Sequence, residues 1–393
     1  MATNNKILEF PLAAHRNEGR LLIPERLSEG RIAARMTQTE LASRVGVSRQ
    51  SISYYEIGEK SPEPPILRKI SEELSLPIGF FTKEDRPMFG RLTANFFRKN
   101  GPDTKRRNQA CDVFASWLSS FAFAFDKVAN FPAVDLPSFE PRGEFYTEEE
   151  LENAAEETRR AFGLGLGPIS NTIRLLESKG IIIARYKIPN EKIEAFSFWS
   201  GPRPFIFLAS EKESGARARY DACHELGHIV LHRGIGREDI ENKETLKKVE
   251  DEANRFAGAF LLPRRSFPNE VYSSRVESFV DLKARWKTSI QAMIYRCKDL
   301  GIFDDRQVTN AYKQIQYKKW RTNEPLDKGH GALPFEEPIL LNKVAKIVIE
   351  SGVLSKDELV SELELSLEDM EKFCGVSFSE VKEQKTSPEI SLK

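Results

Sequence analysis

Apolar positions recur with helical spacing along most of the chain and alternate only in one short middle stretch. Between Ile23 and Phe81 the pattern predicts four short helices. Pro24 to Ala34 sets Leu27, Ile32 and Ala33 on one stripe. Thr37-Gln-Thr-Glu40 is a capping box opening a second helix that carries Leu41, Ala42 and Val45 inward, and Gly46 ends it. Ser48 caps a third helix through Ile52, Tyr55 and Glu56, closed by Gly58, and Pro62, Pro64 and Pro65 lead into a fourth from Ile66 to Leu74. Ala110 to Phe131 predicts a longer helix with Phe114, Trp117, Leu118, Phe121 and Phe125 inward, an aromatic stripe that reads as core, and Pro132, Pro137 and Pro141 mark an extended segment after it. Thr147 caps a helix to Phe162, another runs from Ile169 to Lys179, and Ile181–Tyr186, Ala195–Trp199 and Pro204–Leu208 read as buried strands. Helical spacing returns at Arg217–His232, at Val249–Leu262 before Pro263, and in the amphipathic stretches Leu340–Gly352 and Leu354–Leu365. The expected class is mainly α with a small β-sheet (α+β), divided at 20–82, 83–145, 146–303 and 304–393.

The helix beginning at Arg217 carries His224-Glu225-Leu226-Gly227-His228, an H-E-x-x-H motif. Residues four apart lie on one helix face, so His224 and His228 can aim two imidazoles at one point, which suits Zn²⁺, with Glu225 as general base. His232 repeats the spacing of four and fits an outer hydrogen-bonding role or a structural one, and Asp221 is a second outer-shell candidate. A zinc site needs a third protein ligand, and the next helix offers Glu250 and Glu252.

Composition narrows the setting. The 393 residues carry no net charge, but residues 1–110 hold 19 Lys and Arg against 13 Asp and Glu. A basic amino-terminal portion on a neutral chain fits a DNA-binding module joined to something else. Within 20–75 the balance is only 9 to 8, which suggests weak binding per monomer. Arg98-Lys99 and Lys105-Arg106-Arg107 are basic clusters of a kind more often solvated than bound, and Ile7-Leu-Glu-Phe10 suggests an arm or short strand. The four cysteines form no C-x-x-C pair, which excludes a disulfide scaffold and fits a reducing cytoplasm. The amino terminus lacks a signal-peptide pattern, and the uncharged run Val113–Phe125 is too short to span a bilayer. A cytoplasmic, nucleoid-associated protein without a membrane partner is expected.

Two short helices joined by a Gly-containing turn form a helix-turn-helix signature. The run from Gln38 through Gly58, including Leu41-Ala-Ser-Arg-Val-Gly-Val-Ser-Arg-Gln-Ser-Ile, resembles the phage-repressor-like XRE family. The resemblance implies a double-stranded operator read by a homodimer. Ser48, Arg49, Gln50, Ser51 and Tyr54 would lie at the reading helix, and Gln38 at a phosphate. Further along, Gly163-Leu-Gly-Leu-Gly-Pro-Ile, the Ser-Phe-Trp strand, His-Glu-Leu-Gly-His and Glu252-Ala-Asn-Arg-Phe-Ala resemble, in order, the ImmA/IrrE metallopeptidase family over roughly residues 145–300. Leu282 to Arg296 is similar to that family's trailing helix-turn-helix-like subdomain. In this class of zinc protease the third ligand stands three before a small residue and four before Asp or Asn. That implies Glu250, four before Asn254, and leaves Glu252 as a fallback or a surface carboxylate.

Such enzymes also place a substrate-pairing edge strand beside the motif helix, for which Phe205–Leu208 is the expected candidate. The whole resembles fused XRE and ImmA/IrrE regulators. This implies a transcriptional regulator whose Zn²⁺-dependent peptidase cuts itself or a partner repressor, in a phage-like or bacterial setting. The alternative is a non-proteolytic regulator or antitoxin whose zinc domain holds a partner, such as a toxin, or a ligand.

Overall fold

The computed structural model describes residues 22–83, 87–93, 104–186, 195–209 and 214–381, without the side chains of Thr104–Arg106 and Arg237. The candidate arm at Ile7–Phe10 and the Arg98-Lys99 cluster lie outside these residues. The chain divides into two compact units, one running to Arg86 and taking in Lys356–Leu367, the other comprising Pro87–Ser355 and the residues from Glu368 on.

In the first unit, α1 (Pro24–Ala33), α2 (Gln38–Val45), α3 (Arg49–Glu56), α4 (Pro64–Leu74) and α5 (Ile78–Thr82) close around Leu27, Leu41, Ile52, Leu67, Ile70 and Phe81. The capping box expected at Thr37 is present in full: Thr37 Oγ1 accepts from Glu40 N, and the Glu40 carboxylate accepts from Thr37 N. Gly46 then takes a left-handed φ of 78°, which turns the chain from α2 to α3 without the cost a side chain would carry. The helix Lys356–Leu363 belongs to this unit, and Lys83 Nζ donates to the carbonyls of Ser361 and Glu362.

The second unit is built on a three-stranded mixed sheet. After α6 (Thr104–Asp126), α7 (Glu148–Ala161) and α8 (Thr172–Ser178) come β1 (Ile182–Tyr186), β2 (Ala195–Ser200) and β3 (Arg203–Ala209). The order is β1-β3-β2, with β1 parallel and β2 antiparallel to β3. Alternation sorts the side chains. Phe196, Phe198, Phe205 and Phe207 stack on one face, while Trp199, Ile206 and Leu208 join the core on the other. Phe114 and Phe121 of α6 are buried among aromatic neighbours that include Tyr186 and Phe373. The central position of β3 corrects its expected edge role: its neighbours take up both sides, and of the three described strands β2 is the outer one beside the motif helix.

Then follow α9 (Gly215–Leu231), α10 (Arg237–Glu241), α11 (Lys243–Leu261), α12 (Phe279–Trp286), α13 (Ile290–Asp299), α14 (Asp305–Tyr317), α15 (Leu340–Glu350), α16 (Lys356–Leu363, in the first unit) and α17 (Leu367–Cys374). Helices α9 and α11 pack closely where Gly227 meets Ala253: a Cβ on Gly227 would sit 3.2 Å from Ala253 Cα. Buried ion pairs fasten the surrounding elements. Arg296 grips Glu152 with two hydrogen bonds, Arg219 pairs with Glu336, and Lys283 bonds both Glu324 and Asp327. Asp327 in turn accepts from Ser214, the N-cap of α9, so this network also fixes where the motif helix starts. The proline-rich segment before Thr147 lies along the same unit, with Phe139 N donating to Val230 O at 3.1 Å.

Candidate metal centre and DNA interface

His224, Glu225 and His228 project from the middle of α9, which is buried almost throughout. Four-residue spacing brings His224 Nε2 and His228 Nε2 to 3.1 Å from each other. Glu250, on α11 a turn before the Gly227–Ala253 contact, faces both, at 3.5 Å from His224 Nε2 and 3.4 Å from His228 Nε2. One ligand atom from each of the three residues lies within 4.8 Å of the others.

The donor set fits a small divalent cation. Both Glu250 oxygens are buried without a hydrogen-bond partner, and two imidazole nitrogens point at the same place. Burial works against the Glu250 carboxylate, but the two imidazoles outweigh it and hold the group below the usual carboxylate range. Burial drives His228 down to about 3 despite Glu250, so its imidazole is neutral, the form that binds a metal.

The outer ring of contacts is more extensive than the motif foretells. Asn254 Oδ1 lies 3.2 Å from His224 Nδ1, while Asn254 Nδ2 donates to Glu250 O at 2.8 Å, which fixes the orientation of the amide. From sequence alone Asn254 marks only the register of Glu250; in the structure its amide oxygen lies beside a motif histidine. His228 Nδ1 lies 3.0 Å from His232 Nδ1, and His232 Nε2 lies 2.9 Å from Glu252 Oε2. Glu252 is therefore no surface carboxylate: it is 6% exposed and also accepts from Tyr146 N.

Glu225 is buried beside the pair and accepts a 2.7 Å hydrogen bond from Ser197 Oγ of β2. Burial pushes its carboxyl up to about 8, against the lowering effects of His224 and Ser197. In the sequence Ser197 stands only as part of the Ser-Phe-Trp strand, with no role of its own, and strand alternation alone places it only on the same face as Trp199. The far end of β2 is itself paired. Leu92 bridges Ser200 antiparallel, Thr93 N donates to Trp199 O and Thr93 Oγ1 accepts from Trp199 N.

On the helix-turn-helix, Ser48, Arg49 and Gln50 are exposed at the start of α3, and Ser51 and Tyr54 are half-buried one turn along. Ser48 caps α3 by accepting from Ser51 N, and Gln50 Nε2 donates to Tyr54 OH at 2.6 Å. Gln38, half-buried at the start of α2, donates to Glu56 Oε2, which Arg31 also holds. Lys60, not among the expected residues, lies over the Tyr54 ring at 5.0 Å.

Residues 27–81 match the family model described as Helix-turn-helix, and residues 176–298 match a peptidase-family model described as IrrE N-terminal-like domain. Comparison with curated proteins gives no match. The chain joins an XRE-type helix-turn-helix domain to an ImmA/IrrE-like peptidase-family domain. It is a DNA-binding regulator carrying a domain of a peptidase family. Among the described residues no helix is long and apolar enough to cross a membrane.

Proposed function

We propose that the second unit is a zinc-dependent, site-specific peptidase that cuts this chain or a partner repressor, and that cutting changes what the helix-turn-helix does at its operator. The observation that carries this reading is the convergence of His224, His228 and Glu250 beside Glu225. His224, His228 and Glu250 would hold the ion. A bound Zn²⁺ supplies Lewis acidity and favours the ionised form of Glu225. Glu225 takes the proton of the attacking water and returns it to the leaving amine, with Ser197 orienting the carboxylate. On this reading β2, whose residues are all buried, is the strand an extended peptide would have to reach. The backbone of Trp199 turns away from β3 toward Thr93, and the period of two gives Ala195 and Ser197 the same outward direction.

In the first unit, Ser48, Arg49, Gln50, Ser51 and Tyr54 meet base edges and backbone in the major groove, Gln38 meets a phosphate, and the protein acts as a homodimer in the nucleoid. The test is incubation of the parent chain and Glu225→Gln with zinc, alone and with the product of the adjacent gene. Fragments from the parent and none from Glu225→Gln support the peptidase. A zinc-loaded parent that leaves every chain intact supports instead a regulator or antitoxin that uses the site to hold a partner.

A further inference from the structure

His228 has two ring nitrogens, and both face polar partners. Nε2 looks toward Glu250 and His224, and Nδ1 lies 3.0 Å from His232 Nδ1. His232 continues the line through Nε2, 2.9 Å from Glu252 Oε2, and Glu252 Oε1 accepts the backbone N–H of Tyr146 at 2.7 Å. His228, His232 and Glu252 are each more than nine-tenths buried.

One placement of protons satisfies the line when His228 Nε2 keeps a free lone pair for a cation. His228 carries its proton on Nδ1 and donates it to His232 Nδ1. His232 then carries its own proton on Nε2 and donates to Glu252, which accepts from Tyr146 with its other oxygen. His224 meets the same requirement in a shorter way, through Asn254 Oδ1.

We propose that His232 and Glu252 are positioning residues of the metal centre: they fix the tautomer and ring orientation of His228 and strengthen it as a ligand. The inference rests on the reading of His224, His228 and Glu250 as that centre. A carboxylate behind a ligating imidazole is a familiar way to raise ligand basicity. Here a second imidazole stands between the two, so the carboxylate acts on the ligand from a longer distance. The repeat of histidine every fourth residue supplies this spacing along one face of α9 and its C-cap, His232.

The test uses the full chain and measures zinc affinity by competition with a chelator, beside thermal unfolding of the metal-free protein. His232→Phe keeps an aromatic ring, though a larger one, and removes the acceptor, and it should weaken zinc binding about 10- to 100-fold. Glu252→Gln should weaken it in the same direction. The double variant should be no worse than His232→Phe alone, because both changes break one line. His232→Gln, whose amide oxygen can accept from His228 Nδ1, should recover part of the loss. With Co²⁺ in place of zinc, the visible bands should shift in His232→Phe, which a packing role would not require.

Should His232→Phe fail to fold, Glu252→Gln and His232→Gln carry the same readouts. Zinc affinity within about two-fold of the parent in the folded variants would overturn the inference, as would losses that simply add. A parent that takes up no zinc would overturn the metal-centre reading and this inference with it. Zinc uptake by the parent with unaffected variants would overturn this inference alone.

Discussion

At the residue scale, Glu250 and Glu252 pose the sharpest question. They stand two apart on α11, about 200° around a helix, so one centre cannot face both. The structure turns Glu250 to the imidazole pair and Glu252 to His232. On our reading the parent chain binds about one zinc per monomer and His224→Ala loses it, since two imidazoles and a carboxylate make up the protein's share of a catalytic site. Glu250→Gln should lower zinc affinity more steeply than Glu252→Gln, because it replaces an anionic ligand with a neutral one at the ion itself. Metal analysis and chelator competition on the three variants decide this, and equal zinc in His224→Ala would remove the assignment. Asn254→Ala should weaken binding by roughly ten-fold, through loss of the partner of His224 Nδ1.

At the element scale, the site depends on how closely α9 and α11 approach, and a glycine sets that approach. A Cβ on Gly227 would meet Ala253 Cα and the Phe256 ring at 3.2 Å and Ala253 O at 3.3 Å. Gly227→Ala therefore sets a gain of about 1 kcal/mol in helix propensity against a contact the backbone of α11 must relieve. Gly227→Val adds two methyls to the same clash and should cost about 1–3 kcal/mol by overpacking, with zinc affinity falling in parallel as Glu250 is pushed away. Denaturant unfolding and zinc titration check both, and a Gly227→Val protein with parental stability and zinc affinity would show that the helices have room.

Much of this arrangement was legible from the sequence. Helical spacing located α9 and α11, the Thr37 box fixed the start of α2, and four-residue spacing paired the histidines. The strands were legible as apolar runs, but their order was not. A run such as Phe205-Ile-Phe-Leu208 is equally apolar at an edge or at the centre, and only pairing partners decide. The burial of Glu252 is illegible in the sequence for a related reason. Periodicity puts it off the metal-facing side, and nothing local reveals that His232 and the Tyr146 amide wait for it there.

At the scale of the whole molecule, the charge balance bears on how the operator is held. Residues 20–75 carry 9 basic against 8 acidic side chains, so a single helix-turn-helix has little long-range attraction for a phosphate backbone. On the proposed reading its specificity would rest on short-range contacts from the start of α3, where Arg49 and Gln50 are exposed. One such helix reads too few base pairs to stand out against bulk DNA, and two symmetric half-sites double the contacts. We therefore expect binding to an inverted repeat by a dimer, with a single half-site bound far more weakly. Gln50→Ala should relax preference at one position in each half-site, at about 1–3 kcal/mol, because an amide can pair with adenine in two bonds. Gln50 already lends its amide to Tyr54 OH, so reading a base means exchanging that bond, and Tyr54→Phe should leave the preferred base unchanged. Gln38→Ala should weaken all sequences alike, since a phosphate contact carries no base information. Footprints and binding curves at fixed salt test these together. A Gln50→Ala footprint and base preference identical to the parent's would move the reading residues elsewhere, and equal affinity for one half-site and for the full repeat would exclude the dimer.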